Sequence, residues 1–97
     1  MRRQQRSRSK SEKISDILRS IHNRNRTGTK TSQIMYETYL PYIQLKEYLA
    51  MMIQHNLIVY IKEEKTFKIT EYGTHVHNLY NEMDKLLVTR DPELSRL

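Results

Sequence analysis

The chain has 97 residues, a formal net charge of +6 at pH 7 and no cysteine. This length allows one small domain with a single modest core, and the lack of cysteine excludes disulfides and thiolate metal sites. No run approaches the roughly 18–20 consecutive apolar residues of a membrane helix, and no apolar stretch follows the basic N-terminus, so we expect neither a membrane protein nor export by a signal peptide.

Positive charge is concentrated at the start of the chain. Ten of the seventeen Lys and Arg residues lie in the first thirty positions, against two acidic residues. Residues 1–10 (MRRQQRSRSK) are too polar to form a core, so we expect a disordered basic arm. Such an arm suits a polyanion through counterion release, or it serves only solubility. Its basic residues are Arg2, Arg3, Arg6, Arg8 and Lys10.

Three helices are predicted between residues 11 and 54. The apolar residues of the first helix recur at helical spacing, and Ser11 is a suitable N-cap. Pro41 marks the boundary between a short second helix and a third helix from Tyr42 to about Gln54. Asn56 suits the position after the third helix, because Asn tolerates a left-handed backbone. The first helix is defined by Ile14, Ile17, Leu18 and Ile21.

Four of the seven tyrosines lie in Ile34–Leu49, IMYETYLPYIQLKEYL. They could form an aromatic surface for a ligand or the apolar seam of two short helices. Helical spacing favours the core for Tyr36, Tyr42 and Tyr48, with their hydroxyls at its edge. Tyr39 falls in the turn and stays open to a phosphate or a partner.

Two short β-rich runs follow, LIVYIK at residues 57–62 and TFKIT at residues 66–70, which predict a hairpin. We also expect a short β-bridge from residues 27–29 to this hairpin. Thr70 can cap a final helix, with Glu71 favourable in its first turn, and Asp91-Pro92 should end it.

The final helix carries an apolar heptad seam. It either covers its own domain or forms a homodimer, and we favour the homodimer because three helices and a hairpin already complete a domain. The seam consists of Tyr72, Val76, Leu79, Tyr80, Met83, Leu86 and Leu87.

This order of elements predicts a mainly helical α+β fold. It is the layout of a winged helix-turn-helix, three helices plus a two-stranded wing, with a C-terminal dimerisation helix. We divide the chain into an arm (1–10), a winged helix-turn-helix domain (11–70), a dimerisation helix (71–90) and a tail (91–97).

Polar residues of the second and third helices are candidates for DNA contacts. On the third helix, Gln44, Lys46 and Glu47 have base-reading chemistry, although an ordinary solvated face is the alternative. The start of the second helix could hold a phosphate, cap the helix, or do both. Further candidates are Lys30, Thr31, Ser32, Gln33 and Tyr42, and Lys62, Lys65 and Lys68 in the wing, where Glu63 and Glu64 oppose phosphate binding.

Metal binding and catalysis are not expected. His75 and His77 point about 200° apart on a helix and so cannot hold one ion. The sequence has no nucleophile–base motif, and its two glycines exclude a glycine-rich phosphate loop. We therefore expect no enzyme, metal, cofactor or small-molecule substrate.

The stretch SQIMYETYLPYIQLKEYLAMMIQHNLIVY (residues 32–60), with Thr70-Glu71-Tyr72-Gly73, carries a family resemblance. It resembles small archaeal winged-helix DNA-binding proteins of the Sulfolobus 10a type and related archaeal predicted transcriptional regulators, over roughly Lys13–Leu87. The resemblance implies that the third helix enters the major groove. It also implies that the C-terminal helix pairs antiparallel with its twin.

We therefore expect a homodimer that binds double-stranded DNA, as a transcription regulator or a chromatin-type protein in the cytoplasm, associated with the nucleoid. Two alternatives stay open: an RNA-binding winged helix and a protein-interaction winged helix. The expectation that the tyrosines form no exposed aromatic platform counts against RNA.

Overall fold

The computed structural model describes residues 8–90, with side chains described as far as Leu86. Arg2, Arg3 and Arg6 of the predicted arm, the Leu87 side chain, and the predicted helix end and tail at residues 91–97 lie outside the described residues. The described residues confirm the predicted order of a mainly helical α+β fold. Its elements are α1 (Lys10–Asn23), α2 (Thr31–Thr38), α3 (Tyr42–Gln54), β1 (Ile58–Ile61), β2 (Thr66–Ile69) and α4 (Glu71–Arg90).

The first helix begins earlier than its sequence suggests. The N-cap is Ser9 and not Ser11: its hydroxyl accepts the Glu12 N–H at 3.1 Å, and the Glu12 carboxylate accepts the Ser9 N–H at 2.8 Å. This reciprocal capping box satisfies two otherwise unpaired backbone donors. Arg8 is also held, because its guanidinium donates to Asp16 at 2.7 Å. Residues 8–10 of the predicted arm therefore belong to the start of α1.

One apolar cluster joins α1, α2, α3 and the two strands, and the start of α4 packs against it. Its members from α1, α2 and α3 follow the helical periodicity of the sequence, and burial of each large aliphatic side chain contributes about 1.5–3 kcal/mol. The cluster consists of Ile17, Leu18, Ile21, Ile34, Leu40, Leu45, Leu49, Met52, Leu57, Ile58, Phe67 and Ile69.

The hairpin is antiparallel, with Ile58 opposite Ile69 and Ile61 opposite Thr66. Thr29 extends it as a third, single-residue strand: the Thr29 N–H donates to the Phe67 carbonyl at 2.9 Å, and the Phe67 N–H donates to the Thr29 carbonyl at 2.8 Å. The predicted β-bridge is thereby confirmed. It fastens the connection between α1 and α2 to the wing.

Two caps fix the entry and exit of the hairpin. Asn56 has a φ of 63°, and the N–H groups of Asn56 and Leu57 donate to the carbonyls of Ile53 and Met52 at 3.0 and 2.9 Å. This is a Schellman ending for α3. At the other side the Thr70 hydroxyl accepts the Gly73 N–H at 2.8 Å, as predicted for the cap of α4.

The start of α4 lies close to the base of the wing. A Cβ on Gly73 would overlap the Leu57 carbonyl oxygen, so only glycine allows this approach. Val76 and Tyr80 then pack partly buried against the core of their own domain. From Asn81 to Leu86 every side chain is exposed. The described side chains in the second half of α4 therefore add nothing to the buried core, although Met83 and Asp84 border a cleft shared with α1.

Candidate nucleic-acid interface

The third helix presents one face to the core and the opposite face to solvent. Leu45, Leu49 and Met52 are buried, and they fix the orientation of the helix. The exposed face carries Ile43, Lys46, Glu47, Ala50 and Gln54.

The three base-reading candidates of this helix differ in orientation. Lys46 and Glu47 are exposed, and the Lys46 ammonium lies 5.8 Å from the centre of the Tyr42 ring, a cation–π contact. Gln44 is partly buried, and its Oε1 is fully buried without a hydrogen-bond partner among the described residues. Lys46 and Glu47 are thus available to a ligand, whereas Gln44 points toward the protein.

Three of the four tyrosines in residues 34–49 are exposed, and two of these three were predicted to be core. Tyr36 is 79% exposed, Tyr39 84% and Tyr42 51%, and of the three predicted core rings only Tyr48 packs against the apolar cluster. Tyr36 is two residues from the buried Ile34, which places it about 200° away on α2. Tyr42 is the first residue of α3, so no preceding helical turn packs against its ring. The predicted core role is wrong for both.

Tyr39 is exposed in the turn, as expected. Its φ of 58° lies in the left-handed region, and its N–H donates to the Met35 carbonyl at 2.9 Å. A tyrosine in this conformation is unusual, because Cβ crowds the following carbonyl oxygen.

At the start of α2, Lys30 and Ser32 are exposed and Thr31 is partly so. The Gln33 side chain turns back, and its Oε1 accepts the Lys30 N–H at 2.9 Å. Gln33 is therefore engaged in capping, which was the structural alternative to a phosphate contact. The other three remain accessible.

An ion pair locks the helix-turn-helix against α1. The Arg24 guanidinium contacts the Glu37 carboxylate, which also accepts the Ser20 hydroxyl at 2.7 Å. The hydrogen bond from Arg24, followed by the one from Ser20, lowers the pKa of Glu37, and the same pair raises the pKa of Arg24. Arg24 is thus used within the domain, while Arg26 in the following turn is exposed.

The wing presents mixed charge. Lys62 and Lys65 are exposed at its turn, together with Glu63 and Glu64, and Lys68 is partly buried. The Asn25 side-chain oxygen accepts the Ile69 N–H at 2.8 Å, which joins the base of the wing to the α1–α2 connection. The base of the wing is thus tied to the rest of the domain, but the acidic residues at its turn oppose a phosphate.

Two histidines meet between α1 and α4. The His22 and His77 rings stack with centroids 4.4 Å apart, and His77 is only 4% exposed. Burial, followed by the charges of His22 and Arg19, lowers the pKa of His77. No group of three or more potential metal ligands occurs within residues 8–90.

Several functional candidates were missed from the sequence. Ile43 and Ala50 are exposed beside Lys46 and Glu47 on α3, and Tyr36 is a further exposed ring on α2. The signal was present for Ile43, which precedes the buried Leu45 by two positions and so lies on the opposite face of α3.

A helix-turn-helix in which α2 and α3 meet at a tight turn, followed by a two-stranded wing bridged to the α1–α2 connection, defines the winged helix-turn-helix class. The family model described as winged helix-turn-helix matches residues 7–88, and the chain belongs to this family. Its members are in general DNA-binding domains and not enzymes. No curated protein matches the chain. Among the described residues, no helix has both the length and the apolar character that crossing a membrane requires.

Proposed function

We propose that the protein binds double-stranded DNA as a homodimer, with α3 in the major groove. The observation that carries this proposal is the exposed face of α3, where Lys46 and Glu47 lie free of core packing while Leu45 and Leu49 anchor the helix. An α-helix fits the major groove, and Lys and Glu have donors and acceptors that suit base edges.

We expect residues that surround α3 to contact the phosphates. Lys30, Thr31 and Ser32 at the start of α2 are accessible, and Arg26 is exposed nearby in the chain. Arg2, Arg3 and Arg6 would lie along the backbone or in a neighbouring minor groove. In the wing, Lys62 and Lys65 are the accessible cations, and Lys68 is the weaker candidate.

The proposal also includes the role of the protein in DNA binding. The resemblance to archaeal proteins of the Sulfolobus 10a type supports a transcription regulator or a chromatin-type protein, acting on the nucleoid in the cytoplasm. Dimerisation would use the exposed apolar residues of α4, since Val76 and Tyr80 are engaged with their own core.

The salt dependence of duplex binding tests the proposal. Each phosphate that the protein neutralises contributes about 0.9 to the slope of log K against log salt concentration. We expect Lys30→Ala, which removes an exposed lysine from the start of α2, to weaken binding and to lower that slope by about 1. Lys85→Ala, which removes a lysine from α4, is the matched control and should leave the slope unchanged.

The contribution of the basic arm is tested by the same salt dependence. Removal of Met1–Ser7 deletes three arginines and leaves the Ser9 cap and the Arg8–Asp16 ion pair intact, so the slope should fall by about two to three. Duplex affinity that barely changes between low and moderate salt would refute phosphate neutralisation as the driving force.

RNA is the second candidate, and the exposed tyrosines favour it more than the sequence suggested. Tyr36, Tyr39 and Tyr42 provide aromatic rings on which unpaired bases could stack. Competition between duplex DNA and structured RNA at equal salt separates the two candidates. A preference for RNA would replace the DNA proposal.

A further inference from the structure

The outward face of α3 carries aliphatic side chains that the fold does not use. Ile43 in the first turn is 71% exposed, and Ala50, seven residues later, is exposed on the same face. A β-branched residue gains little from an exposed helical position, because it loses rotamer freedom there without packing in return. The exposure of Ile43 therefore points to a use outside its own domain.

Charged side chains separate these two aliphatic residues. Lys46 and Glu47 are exposed between them, and the Lys46 ammonium lies close to the Tyr42 ring. A partner helix buries a continuous apolar stripe, whereas the major groove alternates polar base edges with the C5-methyl groups of thymine. The alternation on α3 therefore favours the groove over a protein.

We infer that Ile43 and Ala50 contact thymine methyl groups, so that the protein prefers duplexes that display these methyls in the major groove. The inference rests on the proposed entry of α3 into that groove. The two side chains are about 10 Å apart along the helix axis, so they would reach the methyl groups of different base pairs. Ile43 is the larger contact and should carry most of the preference.

Replacement of thymine by uracil isolates this interaction. The alternating duplexes poly(dA-dT) and poly(dA-dU) present the same hydrogen-bonding groups and differ only by the C5-methyl group. The full chain should bind the thymine duplex at least about fourfold more tightly, because burial of one methyl group is worth about that factor. Poly(dG-dC) with 5-methylcytosine should likewise bind more tightly than its unmethylated form.

The variant Ile43→Ser with Ala50→Ser should bind the two A·T duplexes equally. Both positions are exposed, so helical circular dichroism should match that of the wild type. The control Lys46→Ala should weaken binding to both duplexes and preserve their ratio.

Three results would overturn the inference. Equal wild-type affinity for the two duplexes would rule out the methyl contact, but it would not contradict the proposed binding to DNA. A ratio that survives in the double serine variant shows that the methyl acts through DNA shape. Binding to neither duplex overturns the inference together with the proposed function.

Discussion

At the residue scale, the turn of the helix-turn-helix has a backbone conformation that its residue type disfavours. Tyr39 is the clearest case, because it adopts a left-handed backbone at which glycine or asparagine is the ordinary choice. Its ring is 84% exposed and so receives little stabilisation from packing. The tyrosine thus costs stability without contributing to the core, as expected for a residue kept for contact with a ligand.

Tyr39→Asn should therefore stabilise the fold. The expected gain is about 1 kcal/mol in the free energy of unfolding, since asparagine tolerates this backbone region better. Urea denaturation followed by circular dichroism measures it. Tyr39→Phe lacks the short amide that can hydrogen-bond locally in this backbone region, so it should leave stability unchanged. An asparagine variant less stable than the wild type would show that the tyrosine ring itself stabilises the turn.

At the scale of elements, two stacked histidines join α1 to α4, and we expect this contact to be sensitive to the protonation of His77. His77 on α4 is buried against His22 on α1, and its Nδ1 is buried without a hydrogen-bond partner among the described residues. Arg19 faces the pair from α1, and Asn81 lies 3.4 Å from His77 Nε2. A proton on His77 would place a positive charge in a buried site, and the nearby Arg19 would add to the cost.

The domain should accordingly lose stability as the pH falls through the histidine range. The pKa of His77 in the folded protein lies below its ordinary value of 6.5, so the unfolded chain binds more protons. The stabilising contribution of neutral His77 is present above pH 6.5 and is lost as the pH falls through the folded pKa. The loss is at most about 1.4 kcal/mol per pH unit for one proton, measured by urea denaturation between pH 7.5 and 5.

Two variants assign this dependence to the buried ring. His77→Phe keeps an aromatic ring against His22 and should flatten stability between pH 7.5 and 5. The exposed His75→Gln on the same helix should retain the wild-type dependence. If both variants keep that dependence, the α1–α4 contact is not its source. The Glu37 carboxylate, with its lowered pKa, contributes only at lower pH.

The elements were predictable from the sequence, but the faces they expose were less so. Periodicity identified α1, α3 and the hairpin, and Asn56 and Thr70 were recognisable as caps. Ser9 was missed because three serines lie close together and only the structure reveals which one pairs with Glu12. Tyr36 and Tyr42 were misplaced because a tyrosine is compatible with both core and surface, so its position relative to buried aliphatic residues has to decide.

For the whole molecule, the apolar residues of α4 form two groups in the structure, although the sequence predicted them as one seam. Val76 and Tyr80 pack partly buried toward their own core, whereas Tyr72, Leu79 and Met83 are exposed. The heptad spacing fits either use, because residues three and four apart lie on adjacent parts of a helix. Only the position of the domain core assigns each residue to one face.

The exposed face of α4 carries the last prediction, which concerns the proposed dimer. Leu79→Asp with Met83→Asp should give monomers with wild-type helical content, because two carboxylates cannot be buried in an apolar contact without a large desolvation cost. Light scattering coupled to size exclusion measures the mass. Asn78→Asp, an exposed neighbour of Leu79, introduces the same side chain and should remain dimeric. A double variant that stays dimeric at the same concentration would place the interface elsewhere, and a monomeric wild type would refute the dimer.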